Sequence, residues 1–288
     1  MACLYDSYRL ITTAVREYEI GTLFRVLRRF NIEPILIKGW SIARLYEHSA
    51  VRCPGDIDVL VQDEQLAFAE QAVCADDDCC KLNIDWHSLS SLGPLFAKPE
   101  EAVRRSRLFP LADTQIRVLC HEDNLHLAGI HMLKHAGWDP RWVKDVCVLL
   151  ESRPAEFDWD VCLGPDPTRA SWVLTALVVA QELNGVDIRG TPAEKYGIRD
   201  WIIPAIWKGR KDPRPSHLQP PESIWAALKQ PWRIPDAIRK RWPNPITAAI
   251  TIGAPFEDRS PFTHQMRYCA RLAKDFFKRM LPAGDSIE

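Results

Sequence analysis

The hydrophobic pattern of the first third of the chain predicts a long helix followed by a short strand. Over residues 5–30, apolar residues recur every three or four positions, which is the spacing of one helix face. Pro34 ends this helix, and the apolar run after it predicts a strand that stops at Lys38. We expect the apolar face of the helix to be buried, and it comprises Leu10, Ile11, Ala14, Val15, Tyr18, Leu23, Val26 and Leu27.

Three further runs predict strands of one sheet. Residues 56–61 alternate carboxylates with apolar side chains, residues 81–89 form a second alternating run, and residues 114–119 form a third. The intervening residues 63–73 and 99–108 have helical composition. Residues 1–120 are therefore predicted to form a small mixed β-sheet domain flanked by helices.

The second half of the chain is predicted to be mainly helical, which makes the fold class α+β. Helical periodicity covers 122–136, 141–151, 170–183 and 261–280, and the last of these helices is basic and amphipathic. A Pro- and Trp-rich segment, 189–245, lies between the last two helices. Residues 121–288 are assigned to this second domain. Asp145 interrupts the apolar face of the 141–151 helix, and we expect it to bind a histidine.

Composition excludes several classes of protein. The 288 residues are 47% hydrophobic and 26% charged, with a net charge of −1, as in an ordinary globular protein. This charge gives no support for a broad nucleic-acid surface. No apolar stretch reaches the roughly 18–20 residues of a membrane span, and the N-terminus lacks the pattern of a signal peptide. Nine cysteines without a Cys-x-x-Cys pair indicate reduced thiols, mostly buried, of a cytoplasmic protein.

The alternation at residues 56–61 supplies the first candidate chemistry. Side chains two residues apart on a strand share a face, so Asp56 and Asp58 project side by side. Mg²⁺ prefers oxygen ligands and often binds one or two carboxylates together with substrate phosphates. Asp85, in the next alternating run, is a candidate third acid. The alternative is that this spacing marks only a solvated strand end.

The turn after the first strand supplies a candidate phosphate site. Lys38-Gly39-Trp40-Ser41 joins the strand to a helical pattern. Glycine lets the backbone approach a ligand closely, and the N-terminus of a helix favours anions. Gly55 and the preceding Pro54 predict a second turn, which leads into the strand of Asp56 and Asp58.

A histidine pair supplies a competing interpretation. His131 and His135 lie four residues apart on one helical face, near His121 and His126, and such a pair can bind zinc. The zinc-protease pattern is absent, since no glutamate follows His131. Structural or substrate-contacting histidines are therefore the favoured interpretation.

Together these segments resemble the uncharacterised bacterial nucleotidyltransferase family of the DNA polymerase β-like nucleotidyltransferase superfamily. The resemblance covers roughly residues 20–150. The superfamily's turn is usually Gly-Gly or Gly-Ser, where this chain has Lys38-Gly39. The matching segments are Ile37-Lys-Gly-Trp-Ser-Ile-Ala43, Arg52-Cys-Pro-Gly-Asp-Ile-Asp-Val-Leu-Val61, Ile84-Asp-Trp-His87 and Leu125-His-Leu-Ala-Gly-Ile-His-Met-Leu-Lys-His-Ala-Gly-Trp138, followed by Trp142 and Asp145.

The resemblance implies a transferase that moves an NMP group from an NTP, with ATP the first choice, to an unidentified acceptor hydroxyl and releases pyrophosphate. It implies two Mg²⁺ ions, with Mn²⁺ as an alternative, held by the catalytic acids Asp56, Asp58 and Asp85. It also implies a nucleotide-binding set of Lys38, Gly39, Ser41, Gly55, His131 and His135. Two alternatives stay open: a catalytically silent nucleotide-binding or scaffold protein of the same fold, and a metal-dependent hydrolase that uses histidine and aspartate.

Overall fold

The chain divides into two compact units. The computed structural model describes residues 2–47, 52, 55–211, 242–257 and 260–280, with the backbone alone at 2–9 and 276–280. One unit comprises Met1–Ile130 with Arg141–Glu194, and the other comprises His131–Pro140 with Lys195–Glu288. The predicted functional division at residue 120 stays a prediction. Pro54 and most of the Pro- and Trp-rich segment, residues 212–241, lie outside the described residues.

A five-stranded mixed sheet forms the centre of the first unit, in the order β3-β2-β1-β5-β4. Strands β1 and β2 are antiparallel, as are β4 and β5, whereas β2 with β3 and β1 with β5 are parallel. The elements up to the last strand are α1 (Ala2–Arg29), β1 (Ile35–Leu36), α2 (Gly39–Ala43), β2 (Ile57–Val61), α3 (Leu66–Cys74), β3 (Ile84–Ser88), α4 (Leu89–Leu92), α5 (Pro99–Arg105), β4 (Arg107–Leu111) and β5 (Thr114–Val118).

Helices account for the regular structure described after β5, so the predicted fold class, a mixed sheet flanked by helices and followed by a mainly helical half, is confirmed. These helices are α6 (His121–Lys134), α7 (Pro140–Glu151), α8 (Trp159–Leu163), α9 (Pro167–Asn184), α10 (Ile202–Lys211), α11 (Pro245–Thr251) and α12 (Pro261–Met280). Within the ranges described, no helix has the length and apolar character needed to cross a membrane.

Among the apolar side chains of α1 that the structure describes, those near the C-terminus are buried and those from Leu10 to Tyr18 that were expected to be buried are exposed, which corrects the prediction of one continuous buried face. Leu23 and Leu27 are fully buried in the core against the sheet, whereas Ile11 and Tyr18 are 64% and 65% exposed. A helix of 28 residues is about 42 Å long, and a five-residue strand spans only about 17 Å. The sheet is therefore too short to cover the whole helix. Leu10, Ala14 and Val15 are likewise exposed.

The edge strand β4 was not predicted. The helix expected over 99–108 ends at Arg105, and the chain then pairs antiparallel with β5 from Arg107 onward. Arg107, which lies within the range expected to be helical, is the first residue of the strand. Pro110 is compatible with this position because an edge strand has one unpaired side.

The described cysteines form no disulfides. Cys79, Cys120, Cys147 and Cys162 are buried free thiols, while Cys74 and Cys80 are exposed. Burial raises the pKa of the Cys79 thiol to about 12, and nearby Asp76 adds to the effect. The buried thiols therefore behave as small apolar residues of the core.

Asp145 binds an arginine and a tyrosine, which corrects the expectation of a histidine partner. Arg52 donates to both carboxylate oxygens at 2.9 Å, and the Tyr46 hydroxyl donates to Oδ1 at 2.6 Å. The side chains of Arg52 and Asp145 are only 9% and 4% exposed. This buried ion pair ties the chain ahead of β2 to helix α7.

We expect Asp145→Asn to lower the free energy of unfolding by about 3–5 kcal/mol, because it leaves the Arg52 guanidinium buried without its counter-charge. Tyr46→Phe removes one hydrogen bond from the same carboxylate and serves as the matched control, with an expected loss of about 1 kcal/mol. Urea denaturation followed by circular dichroism measures both. Equal losses in the two variants would contradict a stabilising role for the ion pair.

Candidate active site

The parallel pairing of β2 with β3 brings two predicted acids together. Asp58 of β2 lies opposite Asp85 of β3 in the register of the sheet. His87 follows Asp85 by two residues on the same strand, so both side chains project from the same face. One face of two adjacent strands therefore carries two carboxylates and an imidazole.

These three side chains form a group that fits a divalent cation. One ligand atom from each of Asp58, Asp85 and His87 lies within 4.8 Å of the others. Asp58 is buried, His87 is largely buried, and the Asp85 side chain is 51% exposed. Carboxylate oxygens suit Mg²⁺ and Mn²⁺, and imidazole suits transition metals. The group is thus open to solvent on the side of Asp85.

Lys38 places a positive charge inside the same group. Its Nζ lies 2.9 Å from Asp58 Oδ1 and 3.9 Å from Asp85 Oδ2. Nζ is also 3.1 Å from His87 Nε2, and that ring nitrogen lies 3.0 Å from Asp85 Oδ2 and 3.3 Å from Asp58 Oδ1. Since the Lys38 side chain is 15% exposed, its ammonium is largely shielded from water.

Asp58, Asp85, His87 and Lys38 together form the acid cluster. The local environment shifts the pKa values of Asp56 and Asp58 in opposite directions. Burial alone would raise the pKa of Asp58, but the hydrogen bond with His87 and the nearby charge of Lys38 outweigh it and lower this pKa to about 2. Asp56 is exposed by surface area, yet surrounding protein atoms desolvate its carboxyl. That desolvation and the negative charge of Asp58 raise the pKa of Asp56.

The turn that carries Lys38 has an unusual backbone. Lys38 has φ +50° and ψ −145°, a region that glycine adopts far more easily than lysine, and Gly39 follows with φ +28°. The Ser41 hydroxyl donates to the Lys38 carbonyl oxygen at 2.6 Å, with Asn124 Oδ1 as a second neighbour at 3.3 Å. Ser41 is fully buried, and its hydrogen bond to the Lys38 carbonyl oxygen stabilises the turn from the protein interior. Its predicted contact with phosphate remains a prediction.

Gly55 and Asp56, the other predicted site residues of this segment, lie immediately before β2. Asp56 lies one residue before β2, and its charge acts on Asp58 and Asp85, but the three-residue group contains His87 where the sequence predicted Asp56. Gly55 is exposed, and its carbonyl oxygen accepts hydrogen bonds from Arg16 at 3.1 Å and from an asparagine at 3.3 Å. Their predicted roles in binding metal and nucleotide stay predictions.

The four histidines of α6 and of the turn that follows it are divided between the two units. His126 is buried, and its two ring nitrogens contact the backbone carbonyls of Cys162 and Leu95; His121 contacts the carbonyl of Leu149. His131 and His135 belong to the second unit, where their rings lie 4.7 Å apart. In the part of the chain that the structure describes, the group of three side chains that could hold a metal ion includes none of these histidines.

His87 is the site residue that sequence reasoning missed. It ends the matching segment Ile84-Asp-Trp-His87, yet neither the alternation nor the resemblance predicts a role for it. The signal was present, since Asp85 and His87 have the same two-residue spacing as Asp56 and Asp58. Since side chains two residues apart on a strand share a face, this spacing places His87 on the same face as Asp85.

Comparison with known proteins gives a sequence match to a protein family and a match to a solved structure. Residues 11–76 match a family model described as uncharacterised nucleotidyltransferase, a match that includes Lys38, Asp56 and Asp58 and ends before Asp85. A crystal structure of an antigenic nucleotidyltransferase-like protein from Paracoccidioides brasiliensis is 10% identical, with 59% of this chain and 88% of that chain covered and a TM-score of 0.44. That structural similarity is too low to support a further conclusion. A search of curated proteins gave no match.

The lowered pKa of Asp58 predicts a pH-dependent stability in metal-free buffer. The folded-state value of about 2 lies below the ordinary value of 3.8, so the native state favours the carboxylate. The resulting stabilisation, roughly 2 kcal/mol, is present above about pH 4 and is lost as the pH falls to 2. Urea titrations from pH 5 to pH 2 in EDTA should therefore show wild type and Asp58→Asn converging at low pH. A constant difference between them would contradict this origin.

Proposed function

We propose that the protein is a Mg²⁺-dependent nucleotidyltransferase of the DNA polymerase β-like superfamily, which transfers an NMP group from an NTP to an acceptor hydroxyl. The observation that carries the proposal is the side-by-side placement of Asp58 and Asp85 on parallel strands, with His87 within reach of both. The family match over residues 11–76 supports the same class of transferase.

The proposed reaction forms one bond and breaks another at the α-phosphorus. The acceptor oxygen bonds to that phosphorus, the bond from phosphorus to the bridging oxygen of the β-phosphate breaks, and pyrophosphate leaves. Asp85 accepts the proton of the acceptor hydroxyl, for which its exposed carboxylate is suited. Asp58, Asp85 and Asp56 would hold the metal, which would neutralise the phosphates and stabilise the developing charge.

The nucleotide-binding set is proposed on the resemblance and on the position of the turn. Lys38 and Gly39 lie at the acid cluster and at the start of α2, where a triphosphate would meet them. Ser41 acts by supporting that turn. Gly55 completes the proposed set in the first unit, and the roles of His131 and His135 stay predictions of the resemblance. ATP is the first nucleotide to test.

A second candidate function is a nucleotide-binding protein without catalysis. The observation that favours it is the short contact of Lys38 with Asp58, since an ammonium 2.9 Å from a carboxylate oxygen competes with a metal ion for that oxygen. In this case the protein would bind NTP and release no pyrophosphate.

Thermal unfolding with each NTP and Mg²⁺ tests the proposal. A nucleotide at 100 times its dissociation constant adds about 2.7 kcal/mol to the free energy of unfolding, which is visible as a higher melting temperature. We expect this increase in wild type and its loss in Asp58→Asn, because the metal that links protein and triphosphate loses its buried ligand. Pyrophosphate release with candidate hydroxyl acceptors then separates transferase from scaffold.

Asp77→Asn is the matched control for this experiment. Asp77 is an exposed carboxylate in the acidic loop after α3, so its change removes the same charge away from the cluster. We expect it to retain the nucleotide-induced increase. A response that Asp58→Asn preserves would place the nucleotide elsewhere and contradict the proposed site.

A further inference from the structure

The Lys38 ammonium lies inside the acid cluster, and its side chain is largely buried. Its ammonium contacts all three members of the group, at 2.9 Å from Asp58, 3.1 Å from His87 and 3.9 Å from Asp85. The partner carboxylate of Asp58 is 8% exposed, so water screens this charge pair weakly. A cation therefore already lies among the atoms that could hold a metal ion.

The backbone at the turn fixes the origin of this side chain. Lys38 adopts the glycine-like φ of +50° immediately after β1, and Ser41 holds its carbonyl from below. A conformation that is unfavourable for lysine persists only where surrounding structure determines it. The turn therefore fixes the backbone position from which the Lys38 side chain extends into the acid cluster.

The charges of the cluster balance with one divalent ion. Asp56, Asp58 and Asp85 interact with one another and carry three negative charges when all are ionised. Lys38 and one divalent ion together supply three positive charges. A second divalent ion in the absence of substrate would leave an excess of two positive charges at a half-buried site.

We propose that, without nucleotide, this site takes one divalent cation, and that Lys38 supplies the second positive charge where a two-metal site would hold another ion. The inference rests on the proposed function only for the chemistry that the cation serves. Lys38 and His87 both contact Oδ1 of Asp58, so an ion that shares this carboxylate has Oδ2 to bind. Lys38 is thus a positioning residue that sets the number and affinity of bound ions.

Titration of the purified protein with Mn²⁺ alone, with free Mn²⁺ measured by electron paramagnetic resonance, tests this inference. We expect one ion per chain in wild type. Lys38→Met keeps the length of the side chain and removes its charge, so the acids lose their internal counter-charge. This variant should bind a second ion, or bind the first ion at least about tenfold more tightly than wild type. Lys38→Arg retains the charge and should retain a single ion.

Lys98→Met is the matched control, since Lys98 pairs with Glu101 on the surface and is 60% exposed. This change should leave Mn²⁺ binding unaltered. Circular dichroism checks the fold of each variant, and Lys38→Gln makes the same test if Lys38→Met does not fold. Two ions in wild type without nucleotide, or equal Mn²⁺ binding in wild type and in the uncharged variant, would overturn the inference.

The two proposals fail in distinguishable ways. If removal of the Lys38 charge strengthens Mn²⁺ binding while no NTP raises the melting temperature, the role of Lys38 stands and nucleotidyl transfer fails. If an NTP stabilises the protein through Asp58 while Mn²⁺ binding is insensitive to Lys38, nucleotidyl transfer survives and the role of Lys38 is wrong.

Discussion

The register between β2 and β3 is the constraint on which the candidate site depends. It sets Asp58 opposite Asp85, so two carboxylates that repel each other are fixed on adjacent strands. A shift of one residue would turn one of these side chains to the opposite face of the sheet. Because the five residues of β2 are all buried, the core fixes that register. Lys38 and His87 then offset the repulsion that the register creates.

Two of the buried aspartates that the structure describes, Asp145 and Asp58, are stabilised in different ways. Asp145 binds Arg52 and Tyr46 inside the fold, a closed arrangement of largely buried side chains. Asp58 also has a positive neighbour, but its cluster includes Asp85, which is exposed to solvent. A buried carboxylate whose surroundings open to solvent is accessible to a ligand, whereas a closed ion pair serves stability. Solvent access through Asp85 is therefore the physical difference between the two sites.

Local sequence patterns predicted much of the fold and part of the site. The alternation at residues 56–61 correctly predicted a strand with Asp58 on it, and Pro34 marked the start of β1. Such patterns show which face a side chain occupies, but they do not show which strand lies alongside. The role of His87 depends on its position beside β2, and the strand β4 depends on its pairing with β5. The exposure of the apolar residues of α1 between Leu10 and Tyr18 is not predicted, because periodicity carries no information about the size of the sheet.

The shortness of β1 has a consequence for folding kinetics. This central strand has two residues, yet it joins β2 on one side to β5 on the other, and its partner residues in β5 lie about 80 positions further along the chain. Contacts between distant parts of a chain form slowly, because the entropy of closing a long loop opposes them. The β4–β5 hairpin, by contrast, is local. The Lys38 ammonium meets side chains of β2 and β3 that lie 20 and 49 positions along the chain, so the acid cluster uses shorter-range contacts than the β1–β5 pairing that completes the sheet.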